Sequence, residues 1–212
     1  KRLARTKGIG LDAWFPKLLA ASHCVLAAVA DLLDVVETTL SWPHQCLINK
    51  LVFLLKPIGE DRSIGLATPL VRVWQVIRAP VVREWEHRFA VPWDYAAKGV
   101  RALDAAFKRA VVSELARAKG HCVAAVLWDL RAFFDTVLPH KLLVEAQHVK
   151  YHAWHLALSG QVHLASRVIG VEAVVRPEPI VVQKSIPTGM ADSVALTRVL
   201  LRRTVAHVRV AA

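Results

Sequence analysis

The residues best suited to chemistry form a short stretch that begins at Asp129. Apolar residues 123–127 precede this aspartate, and a short apolar run of this kind predicts a buried strand. The carboxylate of Asp129 then falls at the tip of the strand, where a rigid sheet can hold it beside a metal ion. Phe134 and Asp135 follow five and six residues later. Because an aspartate at a strand end is more often a cap or turn residue, its interpretation depends on the rest of the chain.

Two further segments could contact phosphates or a nucleic-acid backbone. Lys56 and Arg62 enclose Pro-Ile-Gly-Glu-Asp, which predicts a loop between two extended segments. A basic loop of this kind can clamp phosphate groups, although both cations could equally lie on a solvated turn. Pro187 and Gly189 form a Pro-x-Gly turn, where the missing Cβ lets the backbone approach another molecule closely.

Two other sets of residues offer alternative chemistry. His148, His152 and His155 have a spacing that could place three imidazoles on one helix face for a metal. They have no acidic or cysteine partner between them, which favours an ordinary buried or solvated face. The seven tryptophans could stack on bases, but they are scattered singly and are better interpreted as core anchors.

The elements that must position these residues can be predicted from periodicity and from turn residues. Helical spacing of apolar residues, with Ser22 as a possible cap and a proline in the first turn of one helix, predicts helices over 18–36, 102–118, 139–149 and 191–208. Apolar and β-branched runs predict strands over 47–55 and 123–129, and a hairpin-like pair around 167–169 and 180–182. This order of elements indicates an α+β fold.

Composition narrows the class of protein. A chain of 212 residues can bury one core. Its net charge of +11 favours a polyanionic partner, nucleic acid before an anionic membrane. Three widely spaced cysteines predict neither a disulfide framework nor a zinc site, so an intracellular setting is expected, in the nucleus or the cytoplasm. The apolar runs are too short to span a bilayer.

In sequence and in order, four segments resemble motifs of reverse transcriptases, the RNA-directed DNA polymerases, most closely those of retroelements without long terminal repeats and of group II introns. They are an amino-terminal extension (8–43), a fingers motif (56–66), the first palm motif (128–137) and the second palm motif (185–191). This chain departs from the family at Ser63, where proline is usual, at Thr188, where Gln or Ala is usual, and at Met190, where a polar residue or Cys is usual.

The resemblance implies the fingers and partial palm of a right-hand polymerase. Residues 1–212 would form one incomplete domain, with a helical amino-terminal extension over 1–46, fingers over 47–120 and a partial palm over 121–212. Asp129 and the Leu130 carbonyl would hold Mg²⁺ or Mn²⁺.

The resemblance also implies roles at the substrate. Phe134 would lie under the sugar and select deoxynucleotides, and Lys56 and Arg62 would meet the triphosphate. Pro187 and Gly189 would approach the templating base and the primer terminus. The expected partners are an RNA template, a DNA or RNA primer and deoxynucleoside triphosphates.

One motif of the reverse transcriptase family is absent from this sequence. The family's remaining metal ligands come from an aromatic-x-Asp-Asp turn, and this sequence contains no Asp-Asp pair. We therefore expect a retrotransposon-derived fragment that does not polymerise alone. The alternative is an inactive relic that only binds nucleic acid through its basic surface. A membrane-surface protein is disfavoured because the basic residues are not gathered on one long amphipathic helix. The sequence does not indicate the oligomeric state.

Overall fold

The computed structural model describes residues 11, 22–54, 62–91, 94–95, 99–124, 130, 132–171, 174–176 and 178–210. Within these ranges the protein is α+β, as the sequence predicted. Its elements in chain order are α1 (His23–Thr39), β1 (Ile48–Leu54), β2 (Arg62–Leu66), α2 (Pro69–Arg88), α3 (Ala102–Ala118), α4 (Phe133–Thr136), α5 (Pro139–His148), α6 (Ala153–Leu164), β3 (Ser166–Val171), β4 (Val174–Val175) and α7 (Ser193–Val210). The chain divides into two compact units, Lys1–Trp85 with Ala132–Ala212, and Glu86–Arg131.

The sheet of the first unit has the strand order β2-β1-β3-β4. Strand β1 pairs antiparallel with β2 and parallel with β3. The predicted hairpin-like pair of 167–169 with 180–182 is confirmed at one point, where Ile180 forms an isolated antiparallel bridge with Arg167. The end of β3 pairs instead with Val174–Val175.

Tryptophans anchor the core of the first unit, as predicted for them. Trp74 is fully buried and meets Trp42 edge to face, with 5.5 Å between ring centroids. The Trp42 indole donates to the Leu158 carbonyl at 3.1 Å. The sheet is tied to α6 because the buried Asn49 amide donates to the Val162 carbonyl at 2.6 Å. Trp85 is also buried, while tryptophans 14, 93 and 128 lie outside the described residues.

Helix α6 was not predicted, and its start excludes a histidine metal site on one helix face, the alternative that the sequence disfavoured. Helix α5 ends at His148, Lys150 has a positive φ of 49°, and α6 begins after His152. The three histidines therefore do not share one helix face. His155 is buried and stacks on Trp74, with 4.9 Å between ring centroids.

The second unit contains α3, whose bounds match the predicted 102–118. None of its residues is buried, and Leu103, Phe107 and Leu115 are 69%, 68% and 57% exposed. The predicted strand over 123–129 is untested, because residues 125–129 lie outside the described ranges and the two before them are in no strand. Among the helices that the structure covers, none is both long and apolar enough to cross a bilayer.

Candidate functional site

The glycine turn, residues 187–189, lies against the free edge of strand β2. The Gly65 amide donates to the Thr188 carbonyl at 2.8 Å, and the Thr188 hydroxyl donates to the Ser63 carbonyl. Pro187 is so close to β2 that a Cβ on Gly65 would lie 2.5 Å from the Pro187 Cβ. The turn therefore covers the hydrogen-bonding edge that β2 would otherwise present to solvent.

Gly189 is required at its position for two reasons. Its φ is +98°, a conformation that residues with a side chain rarely adopt, and an added Cβ would lie 2.7 Å from Cγ2 of Ile64. Gly189 is also exposed. Its backbone is thus pressed against β2 on one side and open to solvent on the other, which suits close approach by another molecule.

The same segment meets the turn that carries Phe134. The Ile186 amide donates to the Phe134 carbonyl and the Ser185 amide donates to the Val137 carbonyl, each at 2.8 Å. The Phe134 ring is half-buried beside Phe133, with 5.9 Å between ring centroids. We call helix α4 with Val137 the phenylalanine turn. Backbone hydrogen bonds therefore hold the phenylalanine turn beside the glycine turn, although the two are far apart in sequence.

A buried polar network lies immediately after the glycine turn. Asp192 is 3% exposed, and its Oδ1 lies 3.0 Å from Nε2 of Gln75 and 3.0 Å from Nε2 of His163. Its Oδ2 accepts a hydrogen bond from Ser159. Burial alone would raise the pKa of Asp192. The attraction of His163, hydrogen bonds from His163 and Ser159 and the attraction of His155 outweigh it and lower that pKa to about 2.

This network has the composition of a serine hydrolase triad but not its geometry. In a triad the serine hydroxyl donates to the histidine, which then acts as its base. Here the Ser159 hydroxyl and the His163 ring both bond to the Asp192 carboxylate, and all three residues are buried. The network therefore joins α2, α6 and the start of α7 and does not activate a nucleophile. No sequence motif pointed to it, because its members are spread over three elements.

Several of the residues that the sequence predicted for the site lie within the described ranges. Phe134, Pro187 and Gly189 come together as described above, and Arg62 is the first residue of β2, the strand that contacts the glycine turn. Leu130 belongs to the second unit and is 52% exposed.

Two predicted residues, Lys56 and Asp129, lie outside the described residues. Within the described ranges, no group of three or more His, Cys, Asp or Glu side chains is placed to hold a metal ion. The expected Mg²⁺ or Mn²⁺ site therefore stays a prediction, because its expected ligand Asp129 lies outside these ranges. Asp135 lies in the first turn of α4, and Leu138 is the N-cap of α5.

Comparison with known proteins adds no family assignment. No protein-family model matches this sequence, and no curated protein matches it.

Proposed function

We propose that this chain is the fingers and partial palm of an RNA-directed DNA polymerase of retrotransposon type, which binds a primer paired to an RNA template and takes deoxynucleoside triphosphates. The proposal rests on one observation. Three segments that resemble separate polymerase motifs, β2 with Arg62, the phenylalanine turn and the glycine turn, are joined by backbone hydrogen bonds from Gly65 to Thr188 and from Ile186 to Phe134.

The chemistry of such a site follows from what each segment offers. An exposed glycine backbone admits a nucleic-acid strand, and a neighbouring aromatic ring can exclude a 2′-hydroxyl by overlap. A basic strand end can meet the phosphates. In this proposal Lys56 and Arg62 bind the triphosphate, and Asp129 with the Leu130 carbonyl binds Mg²⁺ or Mn²⁺. The metal would stabilise the charge that develops as the phosphoryl group transfers.

A second candidate function is a binding module without catalysis. The net charge of +11 favours binding, and the absence of an Asp-Asp pair from this sequence favours the lack of catalysis. Both candidates predict affinity for nucleic acid that falls steeply with salt, because lysines and arginines that contact phosphates release counterions. Salt dependence alone therefore does not separate them.

The experiment that separates them compares two RNA–DNA duplexes of equal length, one with a recessed primer 3′-end and one blunt. Fluorescence anisotropy gives the Kd of the purified chain for each. A polymerase site predicts tighter binding to the recessed end, because the glycine turn and the phenylalanine turn would hold the primer terminus. A binding module predicts equal affinity. Failure to bind either duplex at about 50 mM salt, where phosphate contacts are strong, would refute both functions.

A further inference from the structure

The structure contains a buried cation next to the glycine turn that neither the sequence motifs nor the proposed chemistry uses. Arg167 on β3 is 8% exposed. Its Nη1 donates to the Ser185 hydroxyl at 3.0 Å, and its Nη2 donates to the His163 carbonyl at 3.2 Å and the Ser185 carbonyl at 3.4 Å. Burial lowers the pKa of Arg167 and the attraction of Asp135 opposes that effect. A buried charge is costly unless it is paired, so the burial of the Arg167 guanidinium against Ser185 requires a reason.

Ser185 supplies that reason, because its backbone is strained. Its φ is +107°, in a region that residues with a Cβ rarely adopt. Its amide is bonded to Val137, its hydroxyl and carbonyl accept from Arg167, and its hydroxyl lies 3.5 Å from Oδ1 of Asp135. A strained residue persists only where its surroundings fix it from several sides. Ser185 meets that condition immediately before the glycine turn.

We propose that Arg167, Ser185 and Asp135 form a positioning clamp that fixes the glycine turn relative to the phenylalanine turn. The inference rests on the proposed function only in saying what the two turns hold, namely the primer terminus and the incoming nucleotide. Ser185 and Asp135 are 50 residues apart in sequence, and the clamp joins them through one hydroxyl. None of the three residues contacts substrate in this account.

The clamp requires the shape of arginine and not only its charge. The planar guanidinium reaches acceptors on both Ser185 and His163 at once, whereas a lysine ammonium is a single point on a flexible stem. Arg167→Lys therefore keeps the charge and breaks the fork. Arg176 provides the matched control, because it is an exposed arginine beside the same sheet. Arg176→Lys should leave the clamp unchanged.

Ser185 allows a second, independent test. Both Ser185→Ala and Ser185→Gly remove the hydroxyl, but only glycine relieves the strain at positive φ. If the clamp acts by holding a strained residue, the alanine variant should disturb the glycine turn more than the glycine variant does. If the hydroxyl only adds packing, the two variants should behave alike.

The primary readout is amide hydrogen exchange of the whole chain measured by NMR without nucleic acid. We expect Arg167→Lys and Ser185→Ala to speed exchange at the Ser185 and Ile186 amides by about tenfold or more, the loss of one or two hydrogen bonds. Exchange at Val168 in β3 should be unchanged. Unchanged exchange at Ser185 and Ile186 in these two folded variants would overturn the clamp.

The second readout is the affinity ratio between the recessed and the blunt duplex. The clamp predicts that Arg167→Lys reduces this ratio toward one while the salt dependence of binding stays the same, a change that a general loss of stability would not produce. An unchanged ratio alongside altered exchange would overturn the positioning role. If the unsubstituted chain shows no preference for the recessed end, the proposed function fails, while the exchange data still decide whether the clamp exists.

Discussion

Gly189→Ala is the substitution whose effect the geometry determines most closely. At φ +98° the new side chain costs about 1–3 kcal/mol of backbone strain. Its Cβ would also lie 2.7 Å from Cγ2 of Ile64, and a contact of this kind in a packed region adds roughly 1–3 kcal/mol. The sum is about 2–6 kcal/mol, a large part of the roughly 5–15 kcal/mol by which a domain of ordinary stability stays folded.

A double-mutant cycle separates the two contributions. Ile64→Ala removes the methyl group that the new Cβ would strike, but it leaves φ at Gly189 unchanged. We therefore expect Gly189→Ala to cost about 1–3 kcal/mol less in the Ile64→Ala background than alone. Urea denaturation followed by circular dichroism gives the free energy of unfolding of all four proteins, provided the slopes agree.

Gly160→Ala is the matched control for this cycle. It makes the same chemical change inside α6, where an added Cβ meets no heavy atom within 4 Å. The reasoning is refuted if Gly189→Ala lies within about 0.5 kcal/mol of the unsubstituted chain, the range of ordinary surface substitutions. It is also refuted if the cost of Gly189→Ala is the same with and without the Ile64 side chain.

Three further predictions concern other parts of the molecule. Gly160→Ala should raise the free energy of unfolding by about 0.5–1 kcal/mol, because alanine is the better helix former and Gly160 lines a cavity of about 50 Å³; a lower thermal midpoint would contradict this. Asp192 has a pKa of about 2 when folded, below its ordinary 3.8, so the stability that its carboxylate contributes is complete above about pH 4 and is lost as pH falls toward 2. The difference in free energy of unfolding between the unsubstituted chain and Asp192→Asn should therefore shrink by about 2 kcal/mol between pH 6 and pH 2. A difference that stays constant over this range would refute the prediction. In the proposed function Lys50, which pairs with no carboxylate in the described part of the chain, would contact a phosphate. Lys50→Met should then reduce the salt slope of nucleic-acid binding by about one, while Lys50→Arg should preserve it; an unchanged slope in Lys50→Met would refute the contact.

The helices that the sequence predicted best are those with one apolar stripe or with a proline or glycine at an end. Helix α5 begins at a proline that suits the first helical turn, and the four-residue spacing of apolar positions marked α3. Helix α6 was missed because Leu156, Leu158 and Val162 bury different sides of it together with His155 and His163. A helix buried on more than one side has no single apolar stripe to detect.

The sequence indicated the two turns of the candidate site, but it did not indicate the side chains that hold these turns in place. A glycine turn and an aromatic residue after an aspartate have recognisable local spacing, so Phe134, Pro187 and Gly189 could be chosen from sequence. Arg167 and Asp192 act through side chains of elements distant in sequence. An arginine in a strand ordinarily suggests an exposed position, and no neighbouring residue in the sequence indicates that Arg167 is buried.

Two of the three departures from the polymerase motifs, Thr188 and Met190, make side-chain contacts that account for them. The Thr188 hydroxyl donates to the carbonyl of Ser63, so two of the departures bond to each other. Because Ser63 contributes its backbone oxygen, this contact does not depend on which side chain stands there. Met190 is 7% exposed in the core that contains Trp74, where a flexible apolar side chain fills space better than a polar one. The glycine turn is therefore positioned from three directions. Strand β2 contacts it at Thr188, the phenylalanine turn bonds to Ser185 before it, and the buried network holds Asp192 after it. A turn fixed in this way can change its own side chains and keep the backbone path that the proposed function requires.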